Sequence, residues 1–181
     1  MRLFTAIDLP PDVRARLDDL TGTLRPLARI NWSPSGNLHI TTKFIGEWPE
    51  ERLTELRNAL EGVSIRAIPV RVRGLGFSPN RRSPRIFRAG VEAPPELATL
   101  AKDTDSTLAK LGIEPESRVY SPHLTLARIK KPQGLAPFYG KVEELGNPDF
   151  GSFEADRFFL YQSKPGPAGS VYTKLFGVPS K

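Results

Sequence analysis

Two histidines are the residues of this chain whose type and spacing suit them for chemistry. They are the only histidines in the sequence, and each begins the same short pattern, His39-Ile40-Thr41 and His123-Leu124-Thr125. An imidazole with an ordinary pKa of about 6.5 can give or take a proton at neutral pH. The repeated pattern therefore predicts a pair of proton-transfer groups, and not two unrelated surface or core histidines.

Strand geometry gives the repeated spacing its meaning. Side chains two positions apart on a strand face the same side, so each histidine is expected to project together with the threonine that follows it. The threonine hydroxyl can donate to a phosphate oxygen. Two such strands side by side would hold a phosphate between a proton acceptor and a proton donor, which is what in-line displacement at phosphorus requires.

The elements that must position these residues follow from the apolar periodicity. Alternating runs predict strands at 3–9, 38–45, 68–75, 85–91, around His123, 153–162 and 171–176. Helical spacing and proline starts predict helices from Pro11 to about Pro26, from Pro49 to Gly62, over 95–111 and over 138–145. No flexible linker divides the chain. The pattern predicts one α+β domain with antiparallel sheets.

Composition narrows the class of protein. The net charge is +6, the excess is mostly arginine, and the chain has no cysteine. The planar guanidinium of arginine presents several N–H donors that match the oxygens of a phosphate, so this composition favours a phosphate-bearing partner. Without cysteine, two histidines would have to recruit carboxylates of no recognisable spacing to hold zinc, so we expect no metal site. We find no signal peptide and no run of about 18 apolar residues, so we expect a cytoplasmic protein that does not contact membranes.

The order of motifs resembles the 2H phosphoesterase superfamily, which is named for two His-x-Thr/Ser motifs. Within it the sequence is similar to the RNA 2′,3′-cyclic phosphodiesterases, also described as 2′-5′ RNA ligases. The resemblance runs through 2–10, the first motif in 37–47, 77–80 with 84–91, the second motif in 122–128, and Ser163 with 169–172. Two positions depart from the family pattern: Thr42 replaces a usual aliphatic residue, and Arg88 replaces a large apolar one.

The resemblance implies a fold and a reaction. The fold is bilobal, with two interleaved α+β lobes about a pseudo-twofold axis and one His-x-Thr strand from each lobe in a central cleft. The reaction opens a terminal 2′,3′-cyclic phosphate to a 2′-phosphomonoester without a metal or cofactor. His123 is then the base that activates water and His39 the acid that protonates the leaving oxygen. Thr41 and Thr125 hold the non-bridging oxygens, or they serve only as β-branched strand formers.

Further residues are candidates for substrate contacts. Arg128 either supplies an extra cation near the phosphate or forms a surface ion pair. Strict alternation puts it on the face opposite His123, so it would need a bulge, a strand end or a long reach to contact the phosphate. Lys43 has the same parity as His39, so it either faces the site or is an ordinary exposed strand lysine. Phe4 either lines the cleft and stacks on a nucleobase or simply packs. Arginines 81, 82 and 85 either follow an RNA backbone or form a solvated loop.

The expected partners are RNA or nucleotides that end in a 2′,3′-cyclic phosphate, and no obligate protein partner is inferred. A non-catalytic protein that binds RNA ends in the same cleft is the alternative from another class. A 2′-5′ RNA ligase is the same chemistry run in reverse.

Overall fold

Two antiparallel sheets and four helices make up residues 1–180, the part of the chain that the computed structural model describes. The elements are β1 Arg2–Asp8, α1 Pro11–Leu24, β2 Asn31–Trp32, β3 His39–Glu47, α2 Leu53–Glu61, β4 Ile68–Ser78, β5 Ile86–Glu92, α3 Pro95–Ala109, β6 His123–Arg128, α4 Ala136–Leu145, β7 Asp149–Ala155, β8 Phe158–Gly166 and β9 Gly169–Val178.

The two sheets divide the histidine motifs between them. One sheet has the order β3-β1-β8-β9 and the other has the order β2-β6-β5-β4-β7, and neighbouring strands in both are antiparallel. His39 therefore begins an edge strand of the first sheet, and His123 begins a strand inside the second. The predicted α+β fold with antiparallel sheets is confirmed.

The helices cover the sheets with the apolar stripes that their sequences predict. In α1, Val13, Leu17 and Leu24 are fully buried, and α3 buries Leu97 and Leu108 in the same way. Burying apolar side chains of this size stabilises each helix by roughly 1.5–3 kcal/mol per residue, more than its intrinsic propensity contributes. The buried apolar residues of both sheets and the helices form one continuous core.

One predicted strand is wrong. The run 153–162 is not a single strand, because β7 ends at Ala155 and β8 begins at Phe158, and the two strands belong to different sheets. Ala155 and Phe158 are both buried while Asp156 between them is exposed, so the chain crosses from one sheet to the other without losing its apolar pattern. The sequence also predicts α2 from Pro49, whereas a 3₁₀ turn over Glu50–Arg52 precedes it.

Within residues 1–180, none of the helices has both the length and the apolar character needed to span a bilayer.

Candidate active site

The strands β3 and β6 share one local shape. In each, the histidine and the threonine are half-buried, the residue between them is buried, two buried residues follow, and the next residue is exposed. The pairing register skips Thr42 on β3, since Ala6 pairs with Thr41 and Thr5 with Lys43. It skips Leu126 on β6 in the same way. Both motifs are therefore followed by a β-bulge, which inserts one extra residue and reverses the facing of those beyond it.

The two motif strands contribute to one cleft between the sheets. The cleft has a volume of about 600 Å³, and its lining includes the predicted site residues of both motifs, His39, Thr41, His123 and Thr125. A cleft of this size falls in the range that holds a small ligand or nucleotide. The structure thus brings together the four residues that the sequence groups by spacing.

The bulge on β6 explains how Arg128 reaches the cleft. Strict alternation would direct this side chain away from His123, but the extra residue Leu126 restores it to the cleft lining, where it is exposed. Phe44 holds the equivalent position after the bulge on β3, and 66% of its surface is exposed. The requirement for a bulge that the sequence set for Arg128 is therefore met.

The bulge on β3 has the opposite consequence for Lys43. Its side chain is buried, and the ammonium Nζ donates to Asp105 Oδ1 at 2.6 Å and to the Glu114 carbonyl oxygen at 2.8 Å. An ammonium held by two acceptors is committed to the protein. Lys43 is among the residues that line the cleft, but these contacts hold its ammonium, and the parity argument missed them because it assumed an unbroken strand.

Hydrogen bonds fix the orientation of both imidazoles. His39 Nε2 lies 3.1 Å from Thr41 Oγ1, and the ring also bonds to the backbone of Asn37. His123 Nδ1 lies 3.0 Å from the Ser121 carbonyl oxygen. Each ring thus bonds to the backbone two residues before it. For His123, this contact assigns the proton to Nδ1 and leaves Nε2 to exchange protons with a ligand in the neutral ring.

An aromatic cluster buries His39. Phe4 stacks on the imidazole with ring centroids 4.8 Å apart, Tyr161 stacks on Phe4 at 5.3 Å, and Tyr172 meets His39 edge-on at 5.2 Å. Phe4 lines the cleft yet is only 4% exposed, so its contacts in the structure are with protein rings. Its expected stacking on a nucleobase stays a prediction.

This burial changes the acid–base properties of the first histidine. Desolvation lowers the pKa of His39 from 6.5 to about 4, while the Asn37 backbone and the charge of Asp8 partly oppose the shift and Arg14 adds to it. His39 is therefore neutral at pH 7 in the free protein. Since the unfolded chain binds this proton near pH 6.5, the burial costs stability as the pH falls from about 6.5 toward 4.

Opening the aromatic cluster should reverse this shift. In Phe4→Ala, water reaches the imidazole and solvates its charged form, so we expect the pKa of His39 to rise from about 4 toward 6.5. A titration of the imidazole resonances by NMR measures the change. Phe153→Ala, which trims a half-buried ring in the other sheet, should leave the pKa unchanged. An unaltered titration in Phe4→Ala would show that the ring does not control the desolvation.

Three contributors to the site were not predicted. Tyr120 donates from its hydroxyl to the Thr41 carbonyl oxygen at 2.8 Å, Asp105 holds Lys43, and Tyr172 closes on His39. Tyr172 lies in a segment that carries the family resemblance, but no spacing in the sequence marks the other two as neighbours of β3. They come from α3 and the loop that precedes β6.

The two departures from the family pattern are accommodated. Thr42 is buried, and its hydroxyl lies 2.7 Å from that of Thr5 on β1, so two threonines satisfy each other inside the sheet. Arg88 is half-buried and donates from Nε to Ser78 Oγ at 2.9 Å, which directs it along its own sheet.

Two sheets that each present a His-x-Thr strand to one cleft define a phosphoesterase of the two-histidine type. A family model described as LigT like Phosphoesterase matches residues 7–87 and again residues 90–172, so each match contains one histidine motif. The chain belongs to this family.

Individual relatives agree with the family match. An RNA 2′,3′-cyclic phosphodiesterase of Methanothermobacter thermautotrophicus is 32% identical, over 97% of this chain and 96% of its own length. The crystal structure of TT0787 of Thermus thermophilus is 34% identical, covers 98% of this chain and 97% of its own, and has a TM-score of 0.81. E. coli LigT in complex with 3′-AMP is 25% identical, covers 97% and 95%, and has a TM-score of 0.77.

Proposed function

We propose that this protein is an RNA 2′,3′-cyclic phosphodiesterase, a hydrolase that opens terminal cyclic phosphates to 2′-phosphomonoesters. One observation carries the proposal: His39 with Thr41 and His123 with Thr125 line the same cleft from two different sheets. The name of the Methanothermobacter relative and the nucleotide bound to E. coli LigT support the same class of substrate.

In the proposed reaction, a water oxygen bonds to phosphorus and the bond from phosphorus to the 3′ oxygen breaks. One imidazole takes the proton of the water, and the other gives a proton to the departing 3′ oxygen, which becomes a hydroxyl. The two transfers leave the pair of imidazoles with one proton exchanged between them, and proton exchange with solvent restores the starting state.

We propose His123 as the base and His39 as the acid, as the resemblance implies. His39 is neutral in the empty cleft, so this assignment requires the bound anion to raise the pKa of His39 enough to load it with a proton. Imidazole resonances recorded at pH 7 with a non-hydrolysable 2′,3′-cyclic nucleotide analogue bound, which represents the state before proton transfer, test the requirement. A His39 ring that stays neutral in the complex would exchange the two roles.

Thr41 and Thr125 donate to the non-bridging oxygens in this proposal, and Arg128 adds a positive charge to the lining of the cleft. A donor aimed at developing charge lowers the barrier most where water is excluded. Phe4 keeps His39 in position by stacking on its ring, in addition to the predicted contact with a nucleobase.

The threonine roles can be separated from strand packing. Valine keeps the branched shape and removes the hydroxyl, so Thr41→Val and Thr125→Val should each lower kcat by roughly 10- to 100-fold, the strength of a hydrogen bond to a charged group. The control is Thr173→Val on the exposed side of β9. If Thr41→Val and Thr125→Val both keep the kcat of the wild type, as the control should, and the melting temperature is unchanged, the two threonines serve only as strand formers.

We propose that the two sheets and their helices are interleaved lobes of one domain.

We also propose that the reaction needs no metal or cofactor. Within residues 1–180, no three His, Asp or Glu side chains cluster as a metal-binding group would.

Product analysis tests the proposed function. The purified protein is incubated with 2′,3′-cyclic AMP, and with a short RNA that ends in a 2′,3′-cyclic phosphate, with and without EDTA. We expect 2′-phosphomonoesters at the same rate in both conditions. Binding of the RNA without turnover would favour the alternative of an RNA-end binding protein. Loss of turnover with EDTA, restored by one metal, would overturn the mechanism. We keep 2′-5′ ligation as an alternative activity of the same cleft, in which the 5′ hydroxyl of a second RNA replaces water as the nucleophile, gives its proton to the base and displaces the 3′ oxygen.

A further inference from the structure

Charge is unevenly distributed along this chain. No aspartate or glutamate occurs between Asp19 and Glu47, between Glu61 and Glu92, or between Glu116 and Glu143. These three segments nevertheless contain more than half of the 26 lysines and arginines. They supply β2 and β3, β4 and β5, and β6, so the net positive charge is carried by the strands around the cleft and the loops beside them.

The three segments meet where β6 ends. Arg128, the last residue of β6, pairs with Asn31 of β2 on one side and with Ile86 of β5 on the other. One residue further, the Ile129 amide donates to the Arg85 carbonyl oxygen at 2.8 Å. Neighbouring strands lie about 4.8 Å apart and each residue spans about 3.3 Å, so residues within three positions of this point are separated from it by at most roughly 10 Å of chain.

Five exposed cations surround this point, and we call them the basic track: Arg29, Arg85, Arg128, Lys130 and Lys131. In the described range 1–180, no carboxylate forms an ion pair with any of them. Arg81 in the preceding loop differs, since it is 3.3 Å from Glu143. Unpaired cations at close quarters repel one another and create a field that attracts a polyanion.

The opposite rim of the cleft has a different character. Phe44 and Val119 are 66% and 94% exposed, and the lining also includes Asp105, whose carboxylate is held by Lys43, and charged side chains of both signs: Lys102, Glu116 and Arg118. Since Phe44 and Arg128 occupy equivalent positions after the two bulges, β3 presents an exposed apolar ring where β6 presents an unpaired cation. A chain of phosphates that leaves the cleft is therefore attracted to the unpaired cations beside the end of β6.

We infer that the basic track binds the RNA strand upstream of the reacting nucleotide, so that this enzyme prefers oligonucleotides to cyclic mononucleotides. This inference rests on the proposed function. A 2′,3′-cyclic phosphate is a 3′ terminus, so the rest of the RNA can continue only in the 5′ direction from the cleft. Arg128 stands at the junction between the cleft and the track, and the other four cations lie outside the reacting site.

The expected contribution is electrostatic and depends on salt. For a single strand, each phosphate neutralised by the protein adds about 0.7 to the slope of log affinity against log salt. Removing Lys130 and Lys131 should therefore make this slope shallower by up to about 1.4 when an oligonucleotide binds. A mononucleotide has no upstream phosphates, so its salt dependence should not change.

The test compares two variants that remove the same number of charges. Lys130→Gln with Lys131→Gln acts on the track, and Arg66→Gln with Lys110→Gln is the control. Lys110 directly follows α3. Arg66 precedes the start of β4, whereas the other end of β4 pairs with the strand residue next to Arg85. Arg66 therefore lies roughly 30 Å along the sheet from the track. All four side chains are exposed. The substrates are 2′,3′-cyclic AMP and a ten-nucleotide RNA that ends in a 2′,3′-cyclic phosphate.

We expect the track variant to lose on the order of tenfold in kcat/KM for the RNA at low salt, and to keep kcat/KM for cyclic AMP within about twofold. The control variant should keep both values. Equal losses in the two variants would mean that net charge, and not the track, attracts RNA. An equal loss on both substrates in the track variant would mean that these lysines act on the reacting phosphate. Either result overturns the inference.

A binding measurement keeps the inference separate from the proposed function. Fluorescence anisotropy with a labelled ten-nucleotide RNA ending in a 3′-phosphate needs no turnover. Normal hydrolysis of cyclic AMP with identical RNA binding by wild type and track variant refutes the track alone. Absence of hydrolysis of both substrates refutes the proposed function, and weaker RNA binding by the track variant would then still establish the track as an RNA-binding surface.

Discussion

Replacing either histidine with alanine is expected to lower kcat by at least about 100-fold, because a general acid and a general base each typically contribute about 10²–10⁴ in rate. KM should change far less, since both imidazoles act mainly on the transition state while other contacts hold the substrate. The measurement is steady-state hydrolysis of 2′,3′-cyclic AMP by His39→Ala and His123→Ala.

The double variant shows whether the histidines act as one unit. Its kcat should fall by less than the product of the two single reductions, because the loss of either histidine already disables the acid–base pair. Ser33→Ala, which changes a lining residue with no part in the proposed reaction, should retain kcat. The pH profile of kcat/KM should be bell-shaped, with limbs that belong to the coupled pair. Full kcat after replacement of either histidine would refute the two-histidine mechanism.

The cleft could be predicted from the sequence because its key information is local. Histidine and threonine two residues apart share a face of any strand, so the motifs define their own orientation. The repetition of the motif indicated two equivalent strands, and the structure has one in each sheet. Short alternating runs separated by turns predicted antiparallel pairing, which every strand pair in residues 1–180 follows.

Features that depend on pairing register could not be predicted. A bulge is recognised only from the pairing with the neighbouring strand. The sequence around Thr42 does not show how β1 pairs with β3, and the sequence around Leu126 does not show how β5 pairs with β6. One inserted residue was enough to bury Lys43 and to bring Arg128 to the cleft. The predicted strand over 153–162 failed for a related reason, since apolar periodicity does not show that a chain changes sheets.

Long-range polar contacts were also beyond the sequence. Asp105 lies on a helix whose apolar stripe predicts only which face is buried, and its partner Lys43 is 62 positions away. The same carboxylate oxygen accepts the Glu116 amide at 2.9 Å. Asp105 therefore ties the strand of the first motif to the loop that leads to the second. Tyr120 makes a parallel connection to Thr41.

Removing the Asp105 carboxylate should destabilise the fold strongly, because its partner Lys43 is buried. Lys43 is 5% exposed and Asp105 21%, so Asp105→Ala leaves a buried ammonium with only the Glu114 carbonyl oxygen. Breaking a buried ion pair by removing one partner typically costs about 3–5 kcal/mol, and the partial exposure of Asp105 favours the lower end, about 3 kcal/mol. Urea unfolding monitored by tryptophan fluorescence measures this loss in the free energy of unfolding.

The dependence of this contribution on pH has a definite sign. Burial of Asp105 raises its pKa, but the hydrogen bonds from Lys43 and the Glu116 amide and the charge of Lys43 outweigh burial and hold the pKa below its ordinary value of 3.8. The pair therefore stabilises the fold fully above the unfolded pKa, and this contribution is lost as the pH falls through the lower folded value. Asp105→Ala should accordingly differ most from wild type at neutral pH and converge on it in acid.

An exposed ion pair of the same protein provides the control. Arg57 and Glu61 are 49% and 43% exposed, so Glu61→Ala should change the free energy of unfolding by no more than about 0.5 kcal/mol. Adding Lys43→Met to Asp105→Ala should recover part of the loss, because the unpaired buried charge is then gone. A cost for Asp105→Ala no greater than that of Glu61→Ala would mean that water or a moved side chain satisfies Lys43, and that the link between the two motifs does not stabilise the cleft.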